Sequence, residues 1–210
     1  MSTPMGPSAD FGTLRLRACL NAALRGFFAE RGVTEVETPM LSQAGNTDPN
    51  VASFSTTFSG HVSAGARTRW LRTSPEFPLK RLLAAGFGDC YEFGRVFRDG
   101  EAGGRHNPEF TMLELYEAYV AYEEVMDLTE ALIRDVATQA VGTTALEWDG
   151  NAIDVGPAFR RWKLEEAVRE LNPEITVADC RDREALAAHC ARLGVHVKAG
   201  YGWGKLLLEI

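Results

Sequence analysis

Two apolar-patterned strands joined by one glycine-rich loop constrain this chain more than any other feature. Residues 90–98 (CYEFGRVFR) and 109–119 (EFTMLELYEAY) flank a polar stretch, 99–107 (DGEAGGRHN). Such a pair reads as an antiparallel hairpin. Period-two alternation then sorts the side chains. Phe110, Met112, Glu114 and Tyr116 share one face of the second strand, and Glu92, Gly94, Val96 and Arg98 share a face of the first.

The flanking pattern mixes hairpins with helices. Leu16, Leu20, Leu24 and Phe27 recur at helical spacing in 14–31, and Gly32 is a stop signal. Residues 33–41 (VTEVETPML) read as a strand that meets Pro39, as suits an edge or a strand end. A long polar loop or weak hairpin follows over 42–60, then a short strand at 69–73. A helix is expected over 74–85, with Ser74 as N-cap and Pro75 and Pro78 near its first turn. Further helices are expected over 122–141, 159–171 and 182–193, and an Asp-Gly turn marks a hairpin within 146–155. The sum is an α+β fold around a mainly antiparallel sheet flanked by helices. Residues 1–13 read as a flexible tail, leaving 14–210 as one incomplete domain. The end at Lys205–Ile210 falls inside an apolar segment, which reads as a truncated domain with an exposed apolar edge.

Composition narrows the function classes. A 45% hydrophobic content provides for a core, and 24% charged residues of mixed sign argue against wholesale disorder. A formal net charge of −7 disfavours a broad polyanion-binding surface. No apolar run is long enough to span a bilayer, and no secretory signal is present. Cys19, Cys90, Cys180 and Cys190 show no C-x-x-C spacing, so free thiols in a cytoplasmic setting are expected. His189, Cys190 and His196 lie close in sequence, but their spacing matches no usual zinc pattern.

The hairpin residues suit a nucleotide on a sheet surface. Arg98 ends the first strand and can grip phosphate, the loop adds Glu101, Arg105, His106 and Asn107, and Phe110 offers a ring to a flat base. No phosphate-binding G-x-x-x-x-G-K-[ST] loop occurs. A bland reading stands beside this: strand Phe and Met residues are usually core, and an Arg beside a turn is usually solvated. Glu114, flanked by Met112, Leu113 and Leu115, needs a polar cavity or a cation. Glu76 lies in a first helical turn, where capping explains it equally well. Two such carboxylates in one cleft would suit a cationic substrate.

Residues 97–119 (FRDGEAGGRHNPEFTMLELYEAY) resemble motif 2 of the lysine branch of class II aminoacyl-tRNA synthetases. GVTEVETPML (32–41) resembles motif 1, and 73–98 resembles the stretch between them. The likeness covers residues 14–135 and resumes over 193–210, with no motif 3. Within that branch the chain most resembles the elongation factor P lysine aminoacylases, because the catalytic region begins near residue 14 and the loop reads Arg98-Asp99-Gly100-Glu101.

The resemblance implies ATP-dependent activation of lysine or β-lysine, with ATP and Mg²⁺ as cofactors and transfer to a lysine of elongation factor P. Lysine tRNA is the alternative acceptor, and a non-catalytic nucleotide-binding paralogue is the alternative of another class. It further implies that Arg98 is the catalytic residue and holds the α-phosphate. Asp99, Gly100, Glu101, His106, Asn107 and Phe110 complete the nucleotide site. Ser74, Pro75, Glu76, Glu114 and Tyr116 line the amino-acid pocket, Pro39 lies at a homodimer interface, and no metal ligand is assigned here. The 210 residues alone are expected to be inactive.

Overall fold

Asp10 sets the start of the first helix, its Oδ1 accepting the Thr13 N–H at 2.8 Å. The computed structural model describes Gly6 and residues 9–210. α1 (Phe11–Glu30) ends where Gly32 turns left-handed at φ 70°. The tail expected over residues 1–13 therefore gives way to helix at Phe11, because the Asp10 cap starts the helix three residues before the expected 14. Residues 1–5, 7 and 8 of that tail lie outside the described residues.

The elements that follow are β1 (Thr34–Glu35), β2 (Leu41–Ser42), β3 (Ser55–Thr57), β4 (Thr68–Leu71), α2 (Glu76–Ala84), β5 (Cys90–Phe97) and β6 (Glu109–Tyr116). After them come α3 (Tyr122–Val141), β7 (Ala145–Trp148) and β8 (Asn151–Asp154). One sheet has the order β1-β5-β6, another β2-β4-β3, and β7 pairs with β8. All pairs are antiparallel except β1 with β5. The architecture is the expected α+β arrangement of antiparallel sheets flanked by helices.

The single strand expected over 33–41 is instead divided between the two larger sheets. Thr34–Glu35 pairs with β5 and Leu41–Ser42 with β4. Pro39 sits between the two pieces and has no N–H to give to either ladder. The expected loop over 42–60 contains β3, which completes a three-stranded sheet. Helix α2 begins two residues later than expected: Pro75 holds the cap position, while Ser74 Oγ accepts the Glu76 N–H at 3.0 Å.

The hairpin has two unlike faces. Phe93, Leu113, Leu115 and the buried Tyr91 face a core built from Leu24, Phe27 and Phe28 of α1 and Leu132 of α3. Phe28 is fully buried and its ring stacks on Tyr91 at 4.2 Å. Each large apolar side chain buried here contributes roughly 1.5–3 kcal/mol. The opposite face carries the even-numbered residues, paired across the strands as Val96↔Phe110, Gly94↔Met112, Glu92↔Glu114 and Cys90↔Tyr116. α1 and α3 cover the odd-numbered face, while α2 contacts both strands and Cys90, Glu92 and Val96 of the even-numbered face are buried.

The chain divides into two compact units at Pro157. The second contains α4 (Leu164–Leu171), a 3-10 turn at Asp179–Arg181, α5 (Arg183–Arg192) and α6 (Trp203–Glu209). Its core gathers Val168, Ile175, Cys180, Leu186, Cys190, Leu206 and Leu207. The helix expected from 159 starts only at Leu164, where Glu166 accepts the Lys163 N–H at 3.1 Å and closes the first turn. Leu206 and Leu207, expected on an exposed edge, are buried, whereas Leu208 is exposed. Among the described residues no helix is long and apolar enough to cross a membrane.

Candidate active site

Arg98 follows the last residue of β5, where the strand leaves the sheet. Its N–H bonds the Pro108 carbonyl at 2.9 Å, closing the hairpin loop around it. Its Nε donates to the Thr73 carbonyl at 3.3 Å, and Nη1 lies 3.5 Å from Glu101 Oε1. The guanidinium carbon lies 5.2 Å from the centre of the Phe110 ring. A quarter of the Arg98 side chain stays open to solvent, so the group is oriented without being sealed off. The loop beyond it is tied down at two points. Asp99 donates its N–H to Ala52 at 2.9 Å, and Gly103 donates to His106 at 3.0 Å. Gly100 adopts φ 80°, a conformation that favours glycine. His106 and Asn107 are exposed on this loop.

A second group of expected residues lies further along the same strand. Glu114 Oε2 accepts from the Tyr116 hydroxyl at 3.5 Å. Burial pushes the Tyr116 phenol up to about 12, and the carboxylates of Glu114 and Glu76 add to the rise. The phenol therefore stays a donor at neutral pH, and its titration registers both carboxylates near it. Glu76, at the start of α2, holds Lys80 Nζ at 2.5 Å. Four residues of antiparallel strand separate Phe110 from Glu114, about 14 Å. The face thus presents a cation over an aromatic ring at one end and the Glu114 carboxylate at the other, where Glu76 of α2 also acts on Tyr116.

Not every expected residue gathers here. Pro39 and Ser74 instead line a separate cleft of about 1010 Å³ between the segment 36–46 and α2, with Gly45, Arg72, Phe77 and Arg81. Pro75 is fully buried at the α2 cap. Among the described residues no group of His, Cys, Asp and Glu side chains is arranged to hold a metal ion.

Sequence reasoning passed over a charged pair beneath the site. Arg72 and Glu92 form an ion pair with side chains about 5% exposed or less. Thr38 joins them: its hydroxyl donates to Glu92 Oε2 at 2.6 Å and accepts from Arg72 Nη1 at 3.0 Å. The signal was present in Glu92, a carboxylate between Tyr91 and Phe93, which needs a partner for the reason that Glu114 does.

With this geometry in place, the comparisons with known proteins agree on its class. The chain belongs to the family of class II tRNA synthetases (D, K and N), which its residues 10–202 match. Among its relatives, the lysine–tRNA ligase of Xanthomonas oryzae pv. oryzae is 52% identical over 194 residues, covering 92% of this chain and 37% of that protein. The lysine–tRNA ligase of Xylella fastidiosa is 50% identical over 194 residues with the same coverage. That of Chromohalobacter salexigens is 42% identical over 195 residues, covering 93% of this chain and 38% of the relative. The chain thus spans a little over a third of the length of these relatives.

Proposed function

We propose that this chain supplies the nucleotide- and lysine-binding face of an enzyme that activates lysine with ATP. The observation that carries the reading is the even-numbered face of β5 and β6. Arg98 over Phe110 suits a phosphate beside a stacked base, and Glu114, Tyr116 and Glu76 suit an ammonium group. Asp99, Gly100, Glu101, His106 and Asn107 border the nucleotide. Ser74 and Pro75 shape the turn that delivers Glu76.

The reaction this face fits is adenylation. The lysine carboxylate attacks the α-phosphorus of ATP, a new P–O bond forms, and pyrophosphate leaves with the electrons of the broken bond. The nucleophile is already ionised, so no general base is required. Arg98 offsets negative charge as it develops at phosphorus, and alignment supplies much of the rate. Mg²⁺ would arrive with the triphosphate and offset its charge; the described residues offer no clustered donor set for it.

Lysine tRNA is the favoured acceptor, because the relatives at 42–52% identity carry the name lysine–tRNA ligase. Elongation factor P is the second reading. It rests on the loop order Arg98-Asp99-Gly100-Glu101 alone. A cytoplasmic setting fits either acceptor. A homodimer is part of the same reading, with Pro39 at the interface. Its support is the apolar surface of Leu16, Leu20, Met40 and Leu41, each 38–45% exposed.

The test uses the protein expressed from its complete reading frame, with ATP, Mg²⁺ and labelled lysine, and with lysine tRNA and elongation factor P offered in parallel. Lysine-dependent ATP–pyrophosphate exchange and label on the tRNA are expected. The 210 residues alone should give no exchange. Label only on elongation factor P selects the second acceptor. No exchange by the complete protein overturns adenylation and favours a nucleotide-binding regulator.

A further inference from the structure

The buried pair Arg72–Glu92 lies where three segments meet. Arg72 follows β4, Glu92 lies in β5, and Thr38 belongs to the connection between β1 and β2. Arg72 uses nearly all of its polar atoms at this junction. Its N–H donates to the Met40 carbonyl at 2.9 Å, and its own carbonyl accepts from Phe97 N–H at 2.9 Å. Nε donates to the Arg95 carbonyl at 3.0 Å, and Nη1 donates to the Thr38 carbonyl at 3.2 Å and to its hydroxyl at 3.0 Å. Glu92 Oε2 also accepts from the Thr38 N–H at 3.2 Å. The two larger sheets are therefore joined at one guanidinium. The remaining donor, Nη2, is buried without an acceptor among the described residues, and a Cβ at Gly94 would come within 2.8 Å of it. Glycine at 94 leaves the guanidinium its place.

A buried ion pair is weak evidence of stability, since desolvation offsets much of the attraction. The geometry gives this one a different use. The residue after Arg72 is Thr73, whose carbonyl accepts from Arg98 Nε. Arg72 also fixes Phe97, the residue before Arg98, through its carbonyl. Arg98 is thus held from both its backbone and its side chain by the short segment that Arg72 anchors.

We propose that Arg72 is a positioning residue: paired directly with Glu92 and bonded to Thr38, it locks the sheet junction that orients Arg98. Arg72 touches no reacting atom. Its catalytic consequence rests on the adenylation reading, but its effect on the Arg98 side chain does not.

The experiment compares the native protein with the double variant Arg72→Met, Glu92→Gln, which removes both charges together and so leaves no uncompensated buried ion. The first readout is solvent exchange of the Arg98 Nε–H by ¹⁵N NMR, assigned with Arg98→Lys. The second is lysine-dependent exchange in the complete protein, separated into kcat and the KM for ATP. Thermal unfolding is followed alongside. The expected result is a near-native Tm, at least tenfold faster exchange of the Arg98 Nε–H, and kcat lowered about 10–100-fold with little change in KM, as small misplacement produces. Native Nε–H exchange in the variant overturns the proposal. So does a loss of kcat that only follows a loss of folded protein. If the native protein shows no pyrophosphate exchange, the adenylation reading fails, while the Nε–H result still decides whether Arg72 orients Arg98.

Discussion

Arg98 draws its orientation from three unlike partners: a carbonyl, a carboxylate and an aromatic face. Together they leave some of its five donors free. On the proposed reading the free donors meet phosphate, and Glu114 meets ammonium. Glu114→Gln should therefore raise the KM for lysine more than that for ATP, because bonds to charged groups contribute about 1.5–3 kcal/mol. Arg98→Ala should instead lower kcat by on the order of 10²–10³. Steady-state exchange kinetics in the complete protein separate the two. Equal effects of Glu114→Gln on both substrates would mark a structural glutamate. The shared face of Phe110, Glu114 and Tyr116 was legible in the sequence because strand alternation assigns faces directly. Arg72 was not, since nothing in a short Trp-Leu-Arg-Thr run tells that its guanidinium turns inward to meet a carboxylate twenty residues on.

Among the elements, the hairpin of β5 and β6 supplies both the core face and the site face. Apolar side chains on one side and charged groups on the other both fix its register, since a one-residue slip would exchange them. Its pairing was legible from alternation and the glycine-rich loop, whereas β5 ends one residue and β6 three residues short of the expected 98 and 119. Helix α3 was legible to the residue, bounded by Gly142 at φ 83°. The short strands β1, β2 and β3 were not, because two or three residues carry no period and their pairing is decided by partners distant in sequence. Gly94 tests how closely β5 is fitted. Gly94→Ala should displace the Arg72 guanidinium, which three hydrogen bonds and the ion pair with Glu92 hold in place, and cost about 1–3 kcal/mol, as overpacking does. Urea unfolding measures the loss. A stability equal to that of the native chain would show that the guanidinium moves freely.

For the whole molecule, the apolar periodicity of α1 looks two ways. Leu24, Phe27 and Phe28 enter the core, while Leu16 and Leu20 remain on the surface one helical turn apart. The surface pair is available to a second copy of the chain, as the proposed dimer requires. The double variant Leu16→Glu, Leu20→Glu should yield a monomer with a native circular dichroism spectrum, and sedimentation equilibrium reads the mass. A variant that remains dimeric would place the interface elsewhere. The division at Pro157 was not visible in the sequence, which shows no low-complexity linker there. It is made by two separate cores, each assembled from residues that only folding brings together.

Lys80 already rests on the carboxylate of Glu76, one helical turn away. On the proposed reading, a ligand ammonium arriving at Glu76 would swap places with an ammonium that the chain provides, in the manner of an ion-exchange resin. While the pair is made, Lys80 offsets the charge of Glu76 and so weakens its repulsion of an approaching phosphate. Added salt loosens the old pair and the new one alike. On this account, affinity at that carboxylate varies little with ionic strength, and selection depends on how well the rest of the ligand fits once the exchange is made.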